Sequence, residues 1–318
     1  MMKSNEFGFK QDVKIIDLLK NQRFTFSAEI IPPRNGMEQV KVLEQIKVLI
    51  SAGAEFFSVT KGAGGSLRGG SLPISQAIKD QFGVPCIAHF TCRDMTPQEV
   101  ENQLMDHHYF GIRNILALRG DPPSDQPDWQ PHSESLRFAH QLIRQIKGLN
   151  EGKFLSRPGA RDDKNQAVTD FCIGAAVYPE HPIAKERMDF FKMKIDEGAE
   201  YGITQMIFDA DIYTQFLEDC AQKGLQVPVL PGSLILRSQA QAHRMMRRFG
   251  IQVSKKIMNK LPVEKENQGV GRVVDLFLEY LEDLKKTGAP GIHLFVMSDL
   301  EASSRALEKM KSVEVSDG

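Results

Sequence analysis

The sequence predicts a single-domain α/β protein that folds as a (β/α)8 TIM barrel. Eight short apolar segments recur along the chain, and helical patterns separate them. The segments are apolar on both faces, which is typical of parallel strands covered by helices. Eight strand–helix units within about 300 residues match a closed barrel.

The predicted strands are rich in β-branched and aromatic residues. They are FTFSAEII (24–31), EFFSVT (55–60), PCIAHFT (85–91), NILAL (114–118), DFCIGAAVY (170–178), GITQMIF (202–208), VPVLPGSL (227–234) and GIHLFVM (291–297). The fourth strand stops before Pro122 and Pro123, because proline cannot donate to a sheet ladder. Arg119 and Asp121 are therefore expected at a fixed edge of the sheet, where Asp121 faces a ligand.

The segments between the strands carry helix signals. Thr96-Pro97-Gln98-Glu99 predicts a helix start, with a capping box and proline at the first helical position. Val270–Lys286 reads as a long amphipathic helix. An apolar stripe at helical spacing precedes the second strand and comprises Val42, Leu43, Ile46, Leu49 and Ile50. We assign residues 1–22 to an N-terminal helical extension and residues 23–312 to the barrel.

An open doubly wound sheet is the competing fold. It favours GxGxxG at the first strand–helix turn, where this chain has EIIPPRNG. The glycine-rich GAGGS after the second strand lacks the third glycine. The regular count of eight units favours the barrel.

Composition narrows the class of protein. The 318 residues carry a formal net charge of -1, so neither nucleic acid nor a membrane surface is an expected partner. Residues 1–24 have no apolar signal-peptide core, and no stretch reaches the length of a membrane span. The four cysteines show no zinc spacing and are expected to be reduced and buried, as in a cytoplasmic protein. They are Cys86, Cys92, Cys172 and Cys220.

Polar residues stand at nearly every predicted strand end. In a barrel these carboxyl ends line the active site. The residues are Glu29, Thr60, His89, Arg119 with Asp121, Tyr178, Gln205 with Asp209, and Ser233.

Several segments resemble the methylenetetrahydrofolate reductase family, in the order that the family has them. They are FSAEIIPP, SVTKGAGGS, AHFTC, GIRNILALRGDPP, DFCIGAAVYPEHP and GITQMIFD, and the resemblance runs from about residue 20 to about residue 300. NILALRGDPP and YPEHP are the most specific. The chain resembles the short bacterial form of the family.

The resemblance implies a reaction and two catalytic carboxyl groups. The family binds FAD, accepts hydride from NADH or NADPH, and reduces methylenetetrahydrofolate to 5-methyltetrahydrofolate. The folate ring must open to an iminium cation, which requires a general acid. Glu29 matches the family's acid, and Asp121 matches the residue that stabilises the cation and tunes the flavin.

The resemblance also implies binding residues and a homo-oligomer. Those implied for the cofactor are Thr60, Lys61, Ala63, His89, Leu118, Arg119, Gly120, Asp121, Tyr178, His181 and Lys194. Those implied for the substrate are Gln205, Gln241 and Met245. Tyr178 and His181 would hold the adenosine side of FAD.

Structural interpretations compete with several of these roles. Glu29 could instead pair with Arg34 or Arg119, and Asp121 could cap the turn that follows it. His89 on an apolar strand could be a satisfied core histidine. His107, His108, His132 and His140 are expected to face solvent. A basic run is expected to be a solvated helix face, with steering of polyglutamylated folate as the alternative; it comprises Arg237, Arg244, Arg247, Arg248, Lys255 and Lys256.

The chain departs from the family pattern at five positions. Lys61 replaces a tyrosine beside the flavin, where its ammonium would favour the anionic reduced form. Met193 stands where the family has arginine, and Met245 replaces an aromatic residue. The pair Ser298-Asp299 stands where the family commonly has asparagine and an arginine that helps to hold folate. The segment 181–205 is also short. Besides the FAD-dependent reductase, an oxidoreductase without flavin or for another pterin and a non-catalytic folate-binding subunit therefore stay open.

Overall fold

The structure is a computed structural model. It describes residues 4–21, 23–62, 69–123, 126, 128–156, 168–264, 269–297 and 299–316. No helix in these ranges is long and apolar enough to cross a membrane.

Eight parallel strands of the described residues close into a barrel in chain order. They are β1 (Thr25–Ile30), β2 (Phe56–Val59), β3 (Cys86–Thr91), β4 (Asn114–Leu118), β5 (Cys172–Val177), β6 (Tyr201–Met206), β7 (Val229–Ser233) and β8 (Gly291–Phe295). The barrel closes where β1 pairs with β8, with Thr25 opposite Gly291 and Glu29 opposite Phe295. Each strand lies within a few residues of its predicted position, so the predicted fold class is confirmed.

Helices surround the barrel. Those of the described residues are α1 (Ile15–Leu19), α2 (Gln39–Ala52), α3 (Ser71–Phe82), α4 (Pro97–Tyr109), α5 (Ala139–Asn150), α6 (Ala184–Asp196), α7 (Ala210–Gln222), α8 (Gln239–Phe249), α9 (Lys255–Lys260), α10 (Val270–Lys285) and α11 (Leu300–Ser316). The predicted capping box begins α4: Glu99 N donates to Thr96 Oγ1 over 3.3 Å, and Thr96 N donates to Glu99 Oε2 over 2.7 Å.

Helix α1 closes the amino-terminal end of the barrel. Its apolar residues Ile15, Ile16 and Leu19 join the cluster of inward-facing strand side chains. Asn114, at the start of β4, holds the entry to this helix, because its Oδ1 accepts the backbone N–H of Ile15 over 2.8 Å. The ligand-accessible end of the barrel is therefore the carboxyl end of the strands.

A polar layer crosses the barrel interior below that end. The imidazole of His293 lies between two serines, with Nδ1 2.8 Å from Ser27 Oγ and Nε2 3.0 Å from Ser58 Oγ. Burial lowers the pKa of His293 to about 3, so the ring is neutral. The remaining interior side chains are mostly apolar, and all four cysteines are free and buried. The mouth above this layer thus has a rigid floor.

Candidate active site

Glu29 and His89 face each other at the carboxyl ends of β1 and β3. Glu29 Oε2 lies 3.9 Å from His89 Nε2, and the two side chains are 11% and 10% exposed. Burial raises the pKa of Glu29 to about 8 and lowers that of His89 to about 4. Both groups are therefore neutral near pH 7, since burial disfavours the charged form of each. Among the described residues, Glu29 has this contact rather than an ion pair with Arg34 or Arg119.

Two buried polar atoms at the mouth have no hydrogen-bond partner among the described residues. They are Oγ1 of Thr60, which follows β2, and Nε2 of His89. His89 is thus not the satisfied core histidine of the structural interpretation. Because buried polar groups are normally paired, these two atoms mark a place where a polar ligand or water belongs.

The segment Arg119–Asp121 extends from β4 along the rim of the mouth. Leu118, the last residue of the strand, packs on the interior cluster, whereas Arg119 and Asp121 are exposed. Gly120 has φ +92, a conformation that L side chains rarely adopt, and a Cβ there would lie 3.0 Å from Arg93 Cβ. The turn therefore requires glycine, and it leaves both charged side chains exposed.

Tyr178 follows β5 and lies next to this segment. Desolvation of its hydroxyl group raises the pKa of Tyr178, the Asp121 carboxylate raises it further, and Arg119 opposes the shift. Lys194 of α6 lies behind the ring, with Nζ 5.6 Å from its centroid and 2.7 Å from the carbonyl oxygen of Ala176. Burial lowers the pKa of Lys194 to about 8.

The surface next to His181 is apolar. His181 Nδ1 accepts the N–H of Ile183 over 3.3 Å, and its ring contacts Phe190 edge-on at 6.1 Å. Ile183, Phe190 and Met193 are 50%, 44% and 37% exposed. This end of α6 therefore presents an apolar surface, and Met193 provides no positive charge there.

The three predicted substrate residues have different environments. Gln205, near the end of β6, is half-buried, and its Oε1 accepts the N–H of Met206 over 2.9 Å. Gln241 caps the start of α8, because its Oε1 accepts the N–H of Arg237 over 2.7 Å. Met245 is buried in the main hydrophobic core. Of the three, Gln205 is the one at a strand end of the mouth.

The structure corrects the expected orientation of Lys61. Its Nζ lies 4.2 Å from the ring centroid of Phe90 and donates to Gln103 Oε1 over 2.7 Å. Phe90 packs with α4 on the outer face of the barrel, whereas its neighbour His89 points inward. The ammonium is thus behind the sheet rather than at the mouth, and burial lowers the pKa of Lys61 to about 8. Ala63 lies outside the described residues.

Two further expectations about charged residues were wrong. His107 is buried, with Nδ1 2.6 Å from the carbonyl oxygen of Gln103, and burial lowers its pKa to about 4. Arg237 is also buried rather than on a solvated face. Its Nη1 lies 2.8 Å from Asp299 Oδ2, an ion pair that joins the segments after β7 and β8.

Comparison with known proteins defines the family. A closed parallel barrel with an inward carboxyl group at its mouth has the construction of barrel enzymes, whose catalytic residues stand at strand carboxyl ends. The sequence profile of methylenetetrahydrofolate reductase matches residues 14–311. The chain belongs to the methylenetetrahydrofolate reductase family.

Curated relatives agree with this assignment. The chain is 29% identical over 285 residues to 5,10-methylenetetrahydrofolate reductase of Escherichia coli (strain K12), covering 87% of each chain. It is 29% identical over 296 residues to methylenetetrahydrofolate reductase 1 of Schizosaccharomyces pombe, covering 91% of this chain and 46% of that protein. The chain thus spans about half the length of the fungal relative. It likewise covers 48% of methylenetetrahydrofolate reductase (NADH) 1 of Zea mays.

A solved structure supports the fold alone. It is an uncharacterized protein from Clostridium thermocellum, described as binding two copies of 5-methyl-5,6,7,8-tetrahydrofolic acid. The two chains are 18% identical with a TM-score of 0.55, over 93% of this chain and 99% of that one.

Sequence reasoning did not identify Arg93, which follows β3 and contacts the Arg119–Asp121 segment. Its Nη1 donates to the carbonyl oxygen of Asp121. Within AHFTCRD the residue reads as an exposed loop arginine, so no sequence signal marks it.

Proposed function

We propose that this chain reduces 5,10-methylenetetrahydrofolate to 5-methyltetrahydrofolate, with hydride from NADH or NADPH passed through FAD. Glu29 is the general acid and Asp121 the carboxylate that stabilises the cation formed on ring opening. The observation that carries the proposal is the buried, protonated Glu29 at the mouth of a barrel in this family.

The residues at the mouth fit a flavin. Thr60 Oγ1 and His89 Nε2 are buried and without a protein partner, as expected of atoms that meet a polar ring edge. Tyr178 presents a half-exposed aromatic ring next to the Arg119–Asp121 segment. When bound, FAD supplies hydride transfer between the nicotinamide and the folate.

The chain's own residues perform the acid–base and electrostatic work. Glu29 keeps its proton at neutral pH and donates it to the departing nitrogen as the folate ring opens. His89 stays neutral beside it and therefore adds no charge that would ionise the acid. Asp121, at the exposed rim of the mouth, places a negative charge near the iminium cation. Gln205 offers its amide to the pterin or the nicotinamide in turn.

Binding and turnover of the purified full-length protein test this proposal. FAD added to the protein should show quenched flavin fluorescence, and the complex should oxidise NADH or NADPH only slowly until methylenetetrahydrofolate is added. Turnover without flavin would favour the flavin-independent oxidoreductase. Folate binding without turnover, with either nicotinamide, would indicate the non-catalytic subunit.

A further inference from the structure

We propose that Arg93 is a positioning residue that fixes the Arg119–Asp121 segment and so sets the location of the Asp121 carboxylate. The role of Asp121 rests on the proposed function, whereas the contacts that hold the segment do not. The side chain of Arg93 is 4% exposed, so its guanidinium is buried at the rim of the mouth.

Arg93 contacts three successive residues of the segment. Its backbone N–H donates to the carbonyl oxygen of Arg119 over 2.9 Å, which continues the β3–β4 pairing beyond both strands. Its Cβ would lie 3.0 Å from a Cβ on Gly120, so the glycine packs directly on the arginine. Its Nη1 donates to the carbonyl oxygen of Asp121. Loss of the guanidinium would therefore leave the segment held at its start and free at Asp121.

The guanidinium is itself held in place. Its Nε lies 3.2 Å from Asp94 Oδ2, and its central carbon lies 5.7 Å from the ring centroid of Trp129. Asp94 adopts φ +59, which is uncommon for a residue other than glycine. The planar arginine fork can serve the carboxylate through one nitrogen and the carbonyl through another, which the single ammonium of lysine cannot do in the same geometry.

The position of the Asp121 carboxylate should affect the rate of the folate step. A displacement of about 1 Å in a group that stabilises a transition state can lower the rate by up to about 100-fold. If Arg93 acts by holding Asp121, its removal should slow the step that needs Asp121, and it should have no further effect once that carboxylate is gone.

Arg113 provides a matched control at the opposite end of β4, the strand that leads into the Arg119–Asp121 segment. It precedes β4, its side chain is 3% exposed, and it pairs with Asp170. Its Nη1 donates to the carbonyl oxygen of His108 over 3.1 Å. Arg93→Met and Arg113→Met thus each remove a buried guanidinium that has a carboxylate partner and donates to a backbone carbonyl oxygen. Arg113 donates to two such oxygens, those of His108 and Ile112.

The two variants should separate in the folate half-reaction. We expect Arg93→Met to slow folate reduction by about 10- to 100-fold and Arg113→Met to change it by less than about 2-fold, although both lower Tm. In an Asp121→Asn background, Arg93→Met should slow this step by less than about 2-fold, because coupled residues are not additive. Equal losses in the two arginine variants, or a full additional loss on top of Asp121→Asn, would overturn the proposal.

Trp129 gives a readout that needs neither flavin nor folate. It is the only tryptophan of the chain, so its emission reports the contact with Arg93 directly. In protein without added ligand, Arg93→Met should shift the emission to the red and increase quenching by acrylamide, and Arg113→Met should not. Identical Trp129 emission in the wild type, Arg93→Met and Arg113→Met would refute the proposal that Arg93 holds the segment.

This readout also separates the two proposals. Wild-type protein that reduces no folate would refute the proposed function, while Trp129 emission would still decide whether Arg93 holds the segment. Should Arg93→Met fail to fold, Arg93→Lys serves the same comparison. The lysine variant should show the same red shift and a smaller loss in folate reduction, and wild-type values in both would contradict the need for the planar guanidinium.

Discussion

Glu29 Oε2 and His89 Nε2 lie 3.9 Å apart, and near pH 7 the two groups form a neutral pair rather than an ion pair. Burial raises the pKa of the carboxyl group to about 8 and lowers that of the imidazole to about 4. Titratable groups whose pKa values are pushed apart by their environment are characteristic of acid–base sites. The arrangement keeps a proton on Glu29 near neutral pH, which the proposed role as general acid requires.

The folate half-reaction should depend on pH through Glu29. The acid must be protonated, so the rate should be level near neutral pH and fall about tenfold per pH unit above pH 8, the pKa of Glu29. Flavin reduction by NAD(P)H should lack this decline. Single-turnover rates measured between pH 6 and pH 10 would test this, because the folate step should slow about tenfold for each pH unit above pH 8.

Two lysines titrate in the same range and need a control. Burial lowers the pKa of Lys61 and of Lys194 to about 8. Lys61→Met and Lys194→Met should each keep the alkaline decline of the folate step. If the alkaline decline disappeared in one lysine variant and remained in Glu29→Gln, the decline would be assigned to that lysine.

Glu29 should also lower stability as pH rises. The folded protein keeps the proton up to about pH 8, whereas the unfolded chain releases it near 4.5. The folded state therefore binds more protons in this window, and the free energy of unfolding falls with pH across it. Glu29→Gln removes the effect and should raise stability at pH 7 by about 3 kcal/mol, with no gain at pH 4. Urea unfolding at both pH values checks this, with exposed Glu44→Gln as the control; equal gains at both pH values would contradict it.

Lys61 should affect stability with the opposite pH dependence. Its folded pKa of about 8 lies below the ordinary value of 10.5, so the unfolded chain binds more protons between these pH values. Stability therefore rises with pH in that window, and the cost of the buried ammonium is complete below pH 8. Lys61→Met should raise Tm at pH 7 by on the order of 2–4 °C and give a smaller gain at pH 10.

Exposed Lys41→Met is the matched control for this measurement, since its side chain is 75% exposed. A flavin potential that changes strongly in Lys61→Met would contradict the orientation of Lys61 behind the sheet.

Asp121→Asn should change both the potential and the folate step. Removing a nearby anion makes reduction of the bound flavin easier, so the midpoint potential should rise. Loss of the charge that stabilises the iminium should slow folate reduction by at least about 10-fold. Spectroelectrochemical titration and single-turnover kinetics measure the two effects. An unchanged flavin potential together with a slow folate step would show that Asp121 stabilises the cation but does not tune the flavin.

The barrel and its mouth were predictable because their signals are local. Strand patterns, the prolines after β4 and the capping box of α4 each depend on a few adjacent residues. Carboxyl ends of parallel strands meet at one end of a barrel, so Glu29 and His89 could be assigned to the mouth before their distance was known.

Features that depend on distant segments were not predictable. Lys61 lies beyond the end of β2, where alternation no longer applies, and α4 supplies the glutamine that holds its ammonium. Arg237 is buried because Asp299, 62 positions later, neutralises it. The contacts of Arg93 with Asp121 and Trp129 likewise join two separate loops. Sequence patterns give the positions of such residues but not their partners.

The two half-reactions of Glu29→Gln test the central claim most directly. The substitution keeps the shape of the side chain and its capacity to form hydrogen bonds but removes the proton that the departing nitrogen needs. Stopped-flow measurement should show flavin reduction by NAD(P)H within about 2-fold of wild type and folate reduction slower by at least ~10², the usual scale for loss of a general acid. Equal slowing of both half-reactions would contradict the role of Glu29 as the acid and leave it a structural residue.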